Sequence, residues 1–552
     1  MENKYHWNNR AKAYQDFQYL TNLRHQLIES ISKEMNRLHG LELCNKSWHL
    51  MIGYWLTQFL AVVFDRWTSY AHSENHKQNS QNLLDLQDHC LFLPSSTSDA
   101  SSQFIDDAWN NIFIKILRGK TDSSILKNNC VQNQEIFQQK PNSYNQKSIN
   151  LIFRKFFKKI LSLSFNEKIK YVLTGTGFRN SNLKLIYLRL KLINPIFFEP
   201  KFPDHKCNPF DKSYRTWSLS EDKKDGQFEK LVKNLIPIFI PKCFLEDFSA
   251  IQESLESSDL PKGVDVIFTS YKHLNDDVFK IWAGNELNTG AKLVIGQHGG
   301  GPFHKFNGSH QFELDIADLA ITTGQGNRKF PHLRNVGQYW ARMQYEKKND
   351  KGPALLTTVA MPKYTFDLRS MALGPQMLSY FKDQFNFYGN LHEEVQNQVK
   401  VRIYPFGDYG WKQKEMWLKN FPNVQLDEGV LPLEKEVTQC RLLISTYMAT
   451  TYNESLAANI PTVIYWDPKL WEWDESVESA FLKLESVGIF HNTPESAAKH
   501  VGKIWNNLEE WWYSKEVQKE RDFFCTNYAY RGKKVFPRFV AVLKEAGNLS
   551  SF

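Results

Sequence analysis

At 552 residues the chain exceeds one ordinary hydrophobic core, so two domains with additions are expected. Its residues are 42% apolar, 14% aromatic and 23% charged, enough to bury large cores, which excludes wholesale disorder. The formal charge of +8 is carried by dispersed lysines and arginines, without zinc-finger spacing or an aromatic ribonucleoprotein motif. This argues against nucleic acid as a partner and leaves anionic ligands or an anionic membrane surface.

The first residues, "MENKYHWNNRAKAYQ", lack the apolar run of a secretory leader. From Tyr5 to about Tyr70 apolar residues recur at helical spacing. The most apolar stretch, Met51 to Trp67, is interrupted by Thr57 and Gln58 and closed by Asp65 and Arg66. A membrane span needs about 20 mostly apolar residues, so a buried or amphipathic helix is the preferred reading. Cys44, Cys90, Cys130, Cys207, Cys243, Cys440 and Cys525 are scattered and odd in number, a pattern of reduced thiols in a cytoplasm.

Between about His72 and Asn150 the chain turns polar and reads as loop or insertion. Two basic, apolar helix candidates follow, Leu151 to Phe165 and Lys184 to Phe198. They suit a helix packed on a sheet with its lysines in solvent, or peripheral association with a membrane surface. Past Glu229 short apolar strands alternate with helices: Val264 to Ser270, Lys292 to Gly299 and Asp318 to Gly324. That texture predicts a buried parallel sheet.

The charged "YEKKNDKGP" contains a linker, 346–352, after which the strand and helix pattern restarts at Ala354, Val399, Asn423, Arg441 and Pro461. The expected organisation is an acceptor-side domain over 1–345, a nucleotide-binding domain over 353–500 and a helical segment over 501–552 packing back on the first. The fold class is α/β, with two Rossmann-like domains facing across a cleft.

Two strand ends carry the chemistry-bearing residues. In "GQHGGGPF" the strand delivers Gln297 and His298 to its carboxyl end, where Gly299, Gly300 and Gly301 let the backbone turn close to a ligand. There His298 can take a proton from a hydroxyl or donate to a phosphate, or serve as a hydrogen-bonded structural residue. In "STYMATTYNESLAANIP", Ser445, Thr446, Thr450 and Thr451 precede a helix whose N–H groups suit a phosphate. The plainer reading is N-capping by Thr450 or Thr451, with Glu454 completing a capping box. A third patch offers Arg402 to phosphate and Tyr404, Tyr409 and Trp411 for stacking, with Trp466 at the same edge; aromatics beside such a turn also cover sheet edges. No HExxH, paired CxxC, Walker loop, GxSxG elbow, GxGxxG after a strand or strand-end DxD is found, so no metal and no cofactor is expected.

"VFDRW", "LIPIFIPKCFLE", "IGQHGG", "YGW", "ISTYMATTYNESLAANIPTVIYWDP" and "VGIFHNTPESAAKHV", in that order, resemble a family of bacterial transferases linked to surface-carbohydrate biosynthesis. More distantly the layout is similar to two-domain, B-type glycosyltransferases, including those using CMP-linked ulosonic acids, and to polyol-phosphate transferases. The resemblance implies a metal-independent enzyme with a nucleotide-sugar donor and a glycan acceptor as partners; the cysteines suit a cytoplasmic location, and the basic helices allow peripheral association with the cytoplasmic face of the inner membrane. By position, Ser445 to Thr451 with Glu454 would meet the donor, Arg402 its phosphate, and His298 the acceptor, making His298 and Glu454 the catalytic pair. Where the family often places a histidine after Tyr-Pro, this chain has Phe406 and Gly407. A CDP-polyol phosphate transferase, a nucleotide-sugar epimerase and a non-catalytic carbohydrate-binding protein are the competing readings. No oligomeric state is implied.

Overall fold

The computed structural model describes residues 5–71, 93–117, 171–178, 200–204, 207–299, 303–324, 330–341, 343 and 351–549. Most of the polar insert, both basic helix candidates, most of the 346–352 linker and Gly300 lie outside the described residues. The protein is α/β, built on two parallel Rossmann-like sheets. One runs β1 (Tyr171–Leu173), β2 (Val266–Thr269), β3 (Lys292–Gly296), β4 (Leu319–Thr322), β5 (Leu333–Asn335) in that order. The second contains β6 (Ala354–Thr357), β7 (Val399–Arg402), β8 (Gln425–Asp427), β9 (Leu442–Ser445), β10 (Thr462–Tyr465) and β11 (Phe490–His491), arranged β11-β10-β9-β6-β7-β8.

Renumbered within itself, the second sheet has the doubly wound order 3-2-1-4-5-6. Chain direction across it reverses between β6 and β9, which pair in parallel from Ala354 opposite Leu442 to Thr357 opposite Ser445. The central strands β6, β9 and β10 are buried along their whole length, as expected where both faces of a parallel sheet are covered, whereas the edge strand β8 exposes Gln425. Leu356, Val401, Ile444 and Val463 join the core on one face, and Leu355 and Leu443 the core on the other, following the two-residue alternation of a strand.

By compactness the chain divides into two units. The first comprises Met1–Thr21, Gly296–Asp315 and Leu319–Phe539, and the second Asn22–Ile295, Ile316–Asp318 and Val540–Phe552. The division falls near residues 21 and 296 and returns a short stretch around 316–318 to the second unit, whereas the sequence pattern places its boundary near 345.

The second unit is organised on helix α2 (Asn45–Arg66), which follows α1 (Arg10–His39) and packs along α3 (Asp277–Asn288). The stretch from Asn45 to Ser69 is long enough for a membrane span, yet 94% of its most apolar 18-residue window is buried inside the protein, so it is a core helix, as its interrupting polar residues suggest. Gly284 permits the close crossing, since the Ser47 hydroxyl donates to its carbonyl at 2.6 Å.

In the first unit, α4 (Gly308–Ile316) follows β3, and α5 (Met377–Gly389) follows β6. Helix α6 (Thr450–Ala457) follows β9, α7 (Glu475–Ser486) follows β10, α8 (Pro494–Ile504) follows β11, and α9 (Lys515–Tyr528) packs on α6 and α7. The segment after α9 is held within the same unit. The Tyr530 carbonyl accepts from Gln338 N–H at 2.8 Å, and the Tyr339 and Phe539 rings lie 5.5 Å apart.

Candidate functional site

The apolar run of β3 ends at Gly296, and the next residue fixes the turn. Gln297 is buried, and its side-chain oxygen accepts from the Thr322 hydroxyl at 3.0 Å, Thr323 N–H at 2.8 Å and the Thr323 hydroxyl at 3.2 Å. Its amide nitrogen donates to the Gly299 carbonyl, and its backbone carbonyl accepts from the Tyr339 hydroxyl at 2.8 Å. Gln297 thus braces the turn from within, with its side-chain bonds directed to Thr322, Thr323 and Gly299.

His298 faces the other way. Its side chain is 42% exposed, and Nδ1 lies 3.4 Å from Oε1 of the buried Glu313 on α4. The other oxygen of Glu313 lies 3.3 Å from Nδ1 of His310, one helical turn earlier. Helix α4 is pinned at its start, where Asn307 Oδ1 accepts from His310 N–H at 3.1 Å and Asp367 accepts from Ser309 N–H at 3.3 Å and from its hydroxyl.

Gly299 brings this turn to the second strand end. A Cβ built on it would lie 3.5 Å from the Thr450 hydroxyl oxygen, so the turn after β3 rests against the first residue of α6. His304 adds a second tie, its ring nitrogens 3.2 Å from the Ser370 carbonyl and 3.1 Å from the Met448 carbonyl. Burial is the main reason its pKa falls to about 4, with the charges of Arg369 and His310 acting in the same direction against the two carbonyls. The imidazole is therefore neutral at physiological pH.

Helix α6 starts differently from the expected capping box. Its N-cap is Ala449, in extended conformation and with no side-chain capping bond. The Thr451 hydroxyl instead pairs with Tyr447 at 2.8 Å, and the Glu454 carboxylate accepts from Met343 N–H at 2.9 Å. Glu454 thus holds a neighbouring segment, and the opening turn of α6 has no side-chain cap over its N–H groups. Ser445, wholly buried at the end of β9, has a hydroxyl with no hydrogen-bond partner among the described residues. Thr446 is braced by the Thr357 carbonyl at 2.9 Å and by the Tyr380 hydroxyl at 2.6 Å. These residues flank the β6/β9 reversal, the place where open parallel sheets bind ligands.

Of three other expected contacts, two are buried and the third is partly exposed with its ring N–H engaged. Arg402 is buried, its guanidinium 2.5 Å from Asp427 and 2.8 Å from the Leu431 carbonyl, so it clamps the β7 and β8 ends together and is not presented to a phosphate. Trp466 is 2% exposed and packs against Tyr452, Phe481 and Phe490, a core position with no face for a ligand. Trp411 donates its ring N–H to the Met361 carbonyl at 2.7 Å, closing the 408–412 turn over the preceding loop. Tyr404 and Tyr409 are partly exposed and stack on one another with centroids 6.4 Å apart. The left-handed backbone at Tyr409, Gly410 and Lys412 sets that turn.

Glu313, His304 and Tyr380 escape the sequence reading. The only local signal was the three-residue spacing of His310 and Glu313 on a helix, which places them on one face. Their partners across the fold lie far along the chain. Among the described residues, no group of three or more His, Cys, Asp or Glu side chains is placed to hold a metal.

A model of the LIC12162 family transferase matches residues 2–543. No curated protein matches the sequence. Among solved structures, MurG of Acinetobacter baumannii aligns at 11% identity over 68% of this chain and 99% of its own, with a TM-score of 0.31. The pneumococcal O-GlcNAc transferase GtfA, solved with UDP and GlcNAc, aligns at 12% over 56% of this chain and 61% of its own, with a TM-score of 0.36. The wall teichoic acid polymerase TagF aligns at 10% over 72% and 98%, with a TM-score of 0.31. Similarity this distant carries no inference about activity.

Proposed function

The chain belongs to the LIC12162 family of transferases, and from that premise we propose that it moves a sugar from a nucleotide-sugar donor to the hydroxyl of a cell-surface glycan. It is an enzyme, and the reading concerns which group it moves and where. The observation that carries it is the approach of Gly299 to Thr450, because it sets a proton-accepting histidine beside an uncapped helix start within one compact unit.

Transfer to a hydroxyl needs two things at opposite ends of the reacting carbon. One is a base for the acceptor proton, and the other is stabilisation of the phosphate that leaves with the bonding electrons. His298 is suited to the first role. The N–H groups opening α6, with the partly exposed Thr450 hydroxyl, are suited to the second, since helix-start donors meet developing negative charge without reorganising. The aromatic pair Tyr404 and Tyr409 offers a face for the donor base or sugar.

Two measurements test the proposal. Melting temperature is followed against CMP, CDP, UDP and GDP, and one nucleotide should raise it; indifference to all four would sink the nucleotide-sugar reading. His298→Ala should lower transfer by about tenfold or more, equivalent to about 1.4 kcal/mol, without lowering the melting temperature.

A further inference from the structure

The carboxylate of Glu313 is shared between two imidazoles, Oε1 facing His298 and Oε2 facing His310. Burying a carboxylate is costly unless it is hydrogen-bonded or paired, and Glu313 is only 6% exposed. A bond to His310, its own helix neighbour, would satisfy one oxygen. The second oxygen is directed out of the helix to a residue on the turn after β3, and that residue is the exposed member of the trio. His310 is fixed from its backbone by Asn307, and α4 by Asp367, so the carboxylate is carried on a rigid base.

We propose that Glu313 is the positioning residue for His298: it accepts a hydrogen bond from Nδ1–H, fixes the ring's orientation and tautomer, and thereby makes Nε2 the nitrogen that takes the acceptor proton. The inference rests on the transferase reading for its last clause only. In the neutral ring one nitrogen carries the proton and the other the lone pair, so a bond from Nδ1–H to a carboxylate decides which is which. The 3.4 Å separation is at the outer edge of hydrogen-bond reach, so a slight turn of the exposed ring closes the bond in the free protein.

The acceptor hydroxyl proton passes to His298 Nε2 as its oxygen forms a bond to the anomeric carbon, and the bond from that carbon to the donor phosphate oxygen breaks. The electron pair leaves with the nucleotide. The imidazolium so formed is stabilised by Glu313 until its proton returns to water.

The test uses the full chain with 15N-labelled histidine, the His298 signals being assigned from their loss in His298→Asn. At a pH where the ring is neutral, the wild type should show a protonated Nδ1 and an unprotonated Nε2. Glu313→Ala should release the ring to the ordinary mixture of tautomers. A wild-type spectrum with the proton on Nε2, or one unchanged by Glu313→Ala, overturns the proposal, and the first of these needs no variant to fold. Kinetically, Glu313→Ala should lower kcat about tenfold with acceptor KM within about twofold, and should add nothing further to His298→Ala. If the tautomer responds as expected while His298→Ala keeps full activity, Glu313 still positions the ring and the proton-transfer role of His298 is what fails.

Discussion

Gly299 approaches the first residue of α6, and its lack of a side chain leaves the space above Thr450 open. A Cβ would sit 3.5 Å from the Thr450 hydroxyl, an ordinary contact, so alanine should be accepted there. Valine carries two further carbons into the same space. Gly299→Ala should keep near wild-type transfer, whereas Gly299→Val should lose about tenfold or more, with melting temperature changed by only a few degrees (~4 °C or less) in both. Equal activity in the two variants would show that no ligand group uses that space. At this scale the sequence located the residues better than it assigned their roles. Gln297, Arg402 and Trp466 each stand at a strand's carboxyl end, as their positions suggested, but direction along a strand does not say whether a side chain turns to solvent or to its neighbours. Their bonding partners, Thr323, Asp427 and Phe490, come from other strands or loops, which no local pattern announces.

Where α5, the end of β10 and the start of α8 converge, three carboxylates gather: Asp383, Asp467 and Glu495. Burial is the first cause that pushes Asp383 up to about 7, followed by the charges of Asp467 and Glu495, with Lys382 opposing. A carboxyl held more tightly protonated in the fold than its ordinary value of 3.8 favours the folded state below that value, and the benefit is lost as pH rises through about 7. Asp383→Asn removes the charge without removing the shape. It should therefore raise stability by about 1–2 kcal/mol at pH 8, after allowance for solvent screening, with the gain shrinking below pH 7 and vanishing near 3.8. Melting curves of both proteins across that range give the comparison, and a gain independent of pH would contradict the assignment. Among the elements themselves, the strands were legible because burial on both faces leaves nearly unbroken apolar runs. The start of α6 was not. A Thr three residues before a Glu fits a capping box, but the helix begins at Thr450, which makes Glu454 its fifth residue and leaves its carboxylate for Met343.

Across the whole molecule, the restart of the strand and helix pattern after residue 353 revealed that there are two sheets. The sheet order was beyond that reading, since parallel strands are joined by crossovers and their neighbours are set by packing far along the chain. The allocation of Gly296–Asp315 to the unit that holds the second sheet is of the same kind, because it depends on contacts such as His304 with Met448.

Helix α2 shows how composition and burial divide the work. By length and hydropathy it could cross a membrane, and only its surroundings decide otherwise. Phe59, at its centre, is 0% exposed and stacks on Trp55 at 5.0 Å, with the Phe239 and Phe104 rings at 5.7 and 6.2 Å. Trp55 stands one turn earlier on α2, while Phe104 and Phe239 come from segments well apart in sequence, so truncating Phe59 leaves a cavity that several elements would have to close together. Phe59→Ala should accordingly cost about 3–5 kcal/mol, read as a lower urea midpoint with an unchanged slope. A helix that merely lay against the protein from outside would give less than about 0.5 kcal/mol, as surface substitutions do. The size of the loss thus measures whether α2 is the structural axis of its unit, independently of any statement about activity.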